Sequence, residues 1–236
     1  MAADAALGAC LAEGSEAKAA VEAIARRFGA ILEAGEDGFH ARLSIKERRI
    51  CLDVAIFAPA TPVGLAKPRL RFDKVVIGLI RRLRAVLDEA VPEGSTVVFA
   101  MAAPIRLAAR TASLLEARIR TSLADGLAEF VETFHGNEVH VRVVSGAPRN
   151  APKVVGFVHS PGADPRLLIE MSQSLLQLAG RPSERQADEQ WFVLANAAAA
   201  PPTETWRVVF AQLSIGSNGA KRVIVFPDGR VEDISY

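Results

Sequence analysis

Arg106 and Arg110 are the residues of this chain best placed to grip a ligand. They follow a short apolar strand, Ser95–Met101, and sit just after Pro104, which fits the first turn of a helix. The stripe Ile105, Ala108, Ala112, Leu115, Ile119 and Leu123 predicts that helix over 104–124. Four residues apart on a helix, the two guanidinium groups are neighbours. Free amides and the positive dipole end would add to their attraction for a phosphate or carboxylate. The turn Ala102-Ala103-Pro104 contains no glycine, so its backbone has little room to wrap an anion.

His159 and Ser160 are the second candidates, in the loop His159-Ser160-Pro161-Gly162 ahead of Asp164 and Pro165. Catalytic groups often occupy such strand-to-helix loops. A Ser–His nucleophile needs a third, positioning group and an oxyanion hole, and adjacent residues seldom orient toward each other in that way. The loop therefore reads as structural, with His159 and Ser160 kept as candidate ligand contacts beside the two arginines.

Other groups resolve into ordinary surface chemistry. Glu138, His140 and Arg142 could do acid–base work or hold a metal, but spacing of two is also what one face of an amphipathic strand produces. Asp53 on a strand suggests a Mg²⁺ nuclease, yet no Glu-x-Lys stands on the neighbouring strands, so a cross-strand pair with Arg42 is the expectation. Arg81, Arg82 and Arg84 lie off their helix's apolar stripe and read as a solvated face. The segment from Gly216 to Lys221 resembles a phosphate loop in composition only and reads as a turn. No metal set or cofactor motif is present, and no cofactor is expected.

Composition narrows the class. The chain has 236 residues, half of them hydrophobic, with 28 Lys plus Arg against 27 Asp plus Glu. Without a basic surplus to displace counterions, nucleic-acid binding is disfavoured. Two cysteines are too few for a disulfide framework, and the first twenty residues lack the basic stretch and apolar core of a secretory signal. No apolar run approaches the length needed to span a bilayer. The expected setting is soluble and cytoplasmic.

The elements that carry these residues predict an α+β fold with antiparallel hairpins. A flexible 1–14 precedes a helix over 15–34, then strands 39–45 and 50–57, a helix from Asp73 and the strand Ser95–Met101. The pairing expected in the first hairpin is Leu43 with Leu52 and Arg42 with Asp53, across a four-residue loop. From 104 the order repeats: helix, one or two further helical turns over 127–134, hairpin 138–159, a helix from Asp164, and a strand from Trp191. This gives a first unit 15–101, a second unit 104–196 and a C-terminal β-meander over 204–236, with 15–236 able to form one compact domain.

Such a scaffold without a catalytic signature points to a non-catalytic binding or interaction module, a homodimer or a partner of another protein, using a sheet face or edge. The alternative is an enzyme or binding domain for a small anionic ligand at the N-terminus of helix 104–124.

Overall fold

Helix signals and strand alternation settle most of the elements. A computed structural model describes residues 2–37, 40–60, 70, 71, 73–161, 164–181, 187–197, 201–214 and 220–234. Among them the chain adopts the expected α+β class, with five helices and ten strands in two mixed sheets. The first elements are α1 (Ala2–Phe28), β1 (Ile31–Asp37), β2 (His40–Ile45), β3 (Arg48–Phe57), α2 (Lys74–Leu87) and β4 (Ser95–Ala102). Next come α3 (Ala108–Ala124), β5 (Glu129–Phe134), β6 (Asn137–Ser145), β7 (Val154–His159) and α4 (Pro165–Ala179). Last are β8 (Glu189–Asn196), α5 (Thr203–Leu213), β9 (Lys221–Val225) and β10 (Val231–Asp233). No described helix is long and apolar enough to cross a membrane.

Two compact units share the chain: 1–60, 182–203 and 217–236 form one, and 61–181 with 204–216 forms the other. In the first, the sheet order is β1-β2-β3-β8-β9-β10, with β3, β8 and β9 parallel. Helix α1 buries Ala17, Ala20, Val21 and Ile24 against the face made by Leu43, Leu52, Val54, Val193 and Val223. Its backbone takes in residues 2–14, expected ahead of the helix, and it stops at Gly29 (φ 61°), before the predicted 34. Ile31 and Leu32 therefore start an edge strand, where both are exposed.

The first hairpin forms, but with a two-residue turn at Lys46-Glu47. Leu43 pairs with Ile50 and Ala41 with Leu52, two residues away from the expected register. A shift of two keeps every side chain on its predicted face, so the hydrophobic pattern alone could not distinguish the two alignments. Arg42 stands opposite Cys51, and Asp53 opposite His40. Asp53 is 2% exposed because β3 is an interior strand, and it accepts a hydrogen bond of 2.6 Å from Gln190 Nε2 on β8.

In the second unit the sheet order is β5-β6-β4-β7, with β4 and β7 parallel and the other pairs antiparallel. Helices α2 and α3 cover one face through Leu79, Leu83, Leu87, Leu115 and Ile119, packed on Val97, Phe99, Met101 and Val158. Helix α4 lies against β4 and β6 on the other face, where Arg142 Nη1 donates to Gln173 Oε1 at 2.8 Å. The predicted N-caps hold: Asp73 accepts from Val75 and Val76, and Asp164 from Arg166. Arg82 and Arg84 are more than a solvated face. Arg82 reaches Ala109 O and Ser113 Oγ on α3, and Arg84 Nε donates to Val154 O on β7.

Three expectations are corrected. Hairpin 138–159 does not form, because β6 and β7 flank β4 on opposite sides; β4 thus completes the second sheet, and the two halves are not repeats of one topology. Residues 129–134 are strand, tied to β6 by the tight turn His135-Gly136, whose φ values are 51° and 76°. The first arm of the C-terminal meander is helix α5. Trp206, Val209, Phe210 and Leu213 recur at helical spacing and are all buried. The Pro227-Asp228-Gly229 hairpin forms as predicted, pairing Val231 with Val225, whereas the turn expected at 216–219 lies outside the described residues.

Candidate functional site

Strand β5 is an edge of its sheet, hydrogen-bonded to β6 alone. The Val143 amide donates to Ala128 O at 2.7 Å, which sets the phase of the ladder. Antiparallel alternation then turns the backbone groups of Phe130, Glu132 and Phe134 toward β6. The N–H and C=O of Glu129, Val131 and Thr133 point away from it. Val131, at the middle of the strand, is also 56% exposed through its side chain.

Helix α3 backs this edge. After the turn at Asp125-Gly126 the chain reverses, and Arg118 bridges helix and strand: its Nε donates to Glu132 Oε2 at 2.8 Å, and its guanidinium lies 4.7 Å from the centre of the Phe130 ring. One turn earlier on α3, Leu114 is exposed, as is Leu127 in the connection. On the opposite face of the sheet, Glu129 is held by Arg142 Nη2 at 2.5 Å. The result is a row of outward-facing amides and carbonyls flanked by apolar side chains, with both acids of the strand already paired. Pairing along its backbone with a further strand is the chemistry this offers.

The sequence-predicted residues lie at the end of the sheet where β4 and β7 finish. After Ala102 the chain passes the cis Ala103–Pro104 peptide, and α3 begins only at Ala108, behind Leu107 in the left-handed region (φ 46°, ψ 49°). Arg106 is therefore outside the helix, and its helical i,i+4 relation to Arg110 does not arise. The Arg106 side chain instead lies over the β5–β6 turn, where a Cβ built on Gly136 would be 2.9 Å from its Nη1. Both arginines are exposed, and neither makes an ion pair among the described residues. The first turn of α3 contains no acid and has no side-chain cap.

His159 ends β7, on the α4 face and across β4 from the β5–β6 turn, so it is not brought together with Arg106. Its Nδ1 donates to the Ser160 carbonyl at 2.9 Å, which leaves Nε2 as the bare nitrogen; that atom is buried and has no hydrogen-bond partner among the described residues. Burial holds the imidazole below its usual pKa and His140 adds to the effect, while the Ser160 carbonyl and Asp164 pull the other way. A neutral ring follows. Ser160 meets His159 through its backbone carbonyl. Nearby, buried His140 bonds Glu138 through Nε2 at 2.8 Å. Among the described residues no group of three or more His, Cys, Asp and Glu side chains could hold a metal ion.

Sequence reasoning passed over Asn137. It is 4% exposed and organises the β4–α3 loop: Oδ1 accepts from the Arg106 amide at 2.8 Å, and Nδ2 donates to Arg106 O, Thr111 Oγ1 and Phe134 O. Only its place immediately after a His-Gly turn hinted at this role.

No family model, curated protein or solved structure matches the chain.

Proposed function

We propose that this chain is a non-catalytic interaction module that binds through β5, and that its partner there is a second copy of the chain. The observation that carries this reading is Val131, exposed in its side chain and outward-facing in its backbone at the centre of an edge strand. Two β5 strands meeting antiparallel about a dyad at Val131 would set Val131 against Val131 and Glu129 against Thr133. All of these residues carry outward backbone groups, so the hydrogen-bond phase of both strands is satisfied. No like charges oppose each other directly, and the β-branched pair at the centre is a favourable cross-strand contact.

Sedimentation velocity over a range of concentrations tests this. Wild type should show a monomer–dimer equilibrium, and Val131→Pro should be a monomer with unchanged circular dichroism. Proline there deletes one outward donor and no ladder bond. A wild type that stays monomeric throughout, or a Val131→Pro variant that dimerises equally well, rules the reading out.

A second reading rests on α3. Its acid-free, uncapped first turn and the unpaired Arg106 and Arg110 suit a phosphate or carboxylate. Here phosphate should raise the melting temperature of wild type at low salt, and Arg110→Ala should remove the effect. No phosphate shift in wild type excludes it.

A further inference from the structure

A groove of about 210 Å³ runs along α2 in the second unit, closed on its far side by Gln212 of α5. Val76, Ile77, Ile80, Arg81 and Arg84 line it. These positions recur at intervals of three and four, so they share one side of the helix. Their chemistry is segregated: the aliphatic residues occupy the N-terminal end and the arginines the C-terminal end, over about 12 Å of helix. Ile77 is 43% exposed, which leaves the apolar end open to a guest. The volume is below the roughly 300–1,000 Å³ of sites for drug-sized molecules, so an occupant must be short.

The three arginines of α2 differ in what they meet. Arg82 turns to α3, where Ala109 O and Ser113 Oγ accept from it. Arg84 Nε donates to the Val154 carbonyl at 2.8 Å, which anchors the guanidinium on β7. Its two Nη groups have no hydrogen-bond partner among the described residues. This guanidinium is half-buried; burial lowers its pKa, and no carboxylate raises it back. Charges taken out of water are normally paired, yet no acid lines the groove. Arg81 is exposed and likewise makes no ion pair among the described residues. Two cations one turn apart on the same side of a helix repel each other unless an anion lies between them.

We propose that this groove binds a short-chain monocarboxylic acid, with its carboxylate between Arg81 and Arg84 and its hydrocarbon tail along Ile80 and Ile77 toward Val76. The guanidinium fork offers coplanar N–H groups of the kind a carboxylate accepts in pairs. Gln212 makes no side-chain hydrogen bond among the described residues and adds a neutral N–H across the groove. A cation would meet two arginines, and a neutral hydrocarbon would leave both uncompensated. A dicarboxylate would set its second charge against the aliphatic end.

Amide proton–nitrogen correlation spectra of the full chain, titrated with hexanoate at low salt, test the proposal, with hexanamide and acetate as controls. Hexanoate should shift backbone amides between Val76 and Arg84 saturably. Hexanamide keeps the tail without the charge, and acetate keeps the charge without most of the tail. Each should bind at least about tenfold more weakly. Arg81→Gln, at an exposed position, should weaken hexanoate about fivefold to tenfold, the difference between a charge-assisted and a neutral contact. Arg84→Lys, which keeps the charge and loses the fork, should weaken it too. Absence of saturable shifts on α2, hexanamide or acetate binding as tightly as hexanoate, or undiminished affinity in Arg81→Gln would each overturn the proposal. Shifts confined to Arg106 and Arg110 would place the anion at α3 and overturn it as well. If Arg84→Lys does not fold, hexanamide and Arg81→Gln decide.

Discussion

Replacing Gly156 by alanine should destabilise the second unit through one identifiable collision. Gly156 pairs with Phe99 across the parallel β4–β7 ladder, and the Phe99 ring occupies the space where a side chain at 156 would project. A Cβ there would be 2.2 Å from Phe99 Cζ, 2.6 Å from Cε1 and 2.8 Å from Cε2. Carbon atoms rest about 3.5–4.0 Å apart, so the ring must move by roughly 1 Å or more. It has nowhere to go, since Phe99, Val97, Met101 and Leu115 are all 0% exposed in one close-packed cluster. Overpacking of this kind costs about 1–3 kcal/mol. Against it stands a gain of about 0.4–1 kcal/mol, because alanine restricts the unfolded chain more than glycine does. The net expectation is a loss of roughly 1–2 kcal/mol, read as a lower urea midpoint by far-ultraviolet circular dichroism. Phe99→Leu should cost stability alone, yet rescue part of the Gly156→Ala loss when the two are combined, with a coupling of about 0.5–3 kcal/mol. An unchanged midpoint for Gly156→Ala, or strictly additive losses in the double variant, would refute the steric argument.

Asn137→Ala should cost about 1–3 kcal/mol, since it strands the Arg106 amide while the Arg106 carbonyl keeps the Thr111 hydroxyl as donor. A melting temperature within error of wild type would show that the loop holds without it. His159 predicts an acid-side effect. Its folded pKa is lowered from 6.5, so the unfolded chain takes up a proton that the folded chain refuses. The contribution is fully present above that value and is lost as pH falls toward the folded pKa. His159→Gln should therefore flatten the decline in urea midpoint between about pH 7 and pH 5; equal slopes in the two proteins would contradict the burial of a neutral ring.

Much of this architecture was legible wherever local chemistry and tertiary role agree. Helices α2 and α4 have Asp73 and Asp164 as caps and apolar stripes of helical period, and both start where those signals place them. Failures came where a pattern fits two structures. Phe130 and Phe134 are four apart, which suits a helix, yet the His135-Gly136 turn commits the segment to a strand. Trp206 to Leu213 alternates well enough to pass for a strand, although its bulkiest residues fall at helical spacing. Strand order is less accessible still. Nothing local to Ser95–Ala102 says that it pairs with β6 and β7 rather than with the first hairpin, and so the apparent repeat dissolves. The edge position of β5 follows from that order and was invisible for the same reason. Arg106 and Arg110 were recognisable as exposed cations, but their spacing carried meaning only if the helix began at Pro104.

The most direct test of the account is amide hydrogen exchange at Val131 and Thr133, whose N–H groups point away from β6. In dilute protein both amides should exchange rapidly, while Phe130 and Glu132, bonded into the β5–β6 ladder, exchange slowly. As concentration rises and copies pair along β5, protection should appear at Glu129, Val131 and Thr133 and nowhere else on that strand. Rapid exchange at both positions at every concentration would contradict the claim that this edge is where the chain binds.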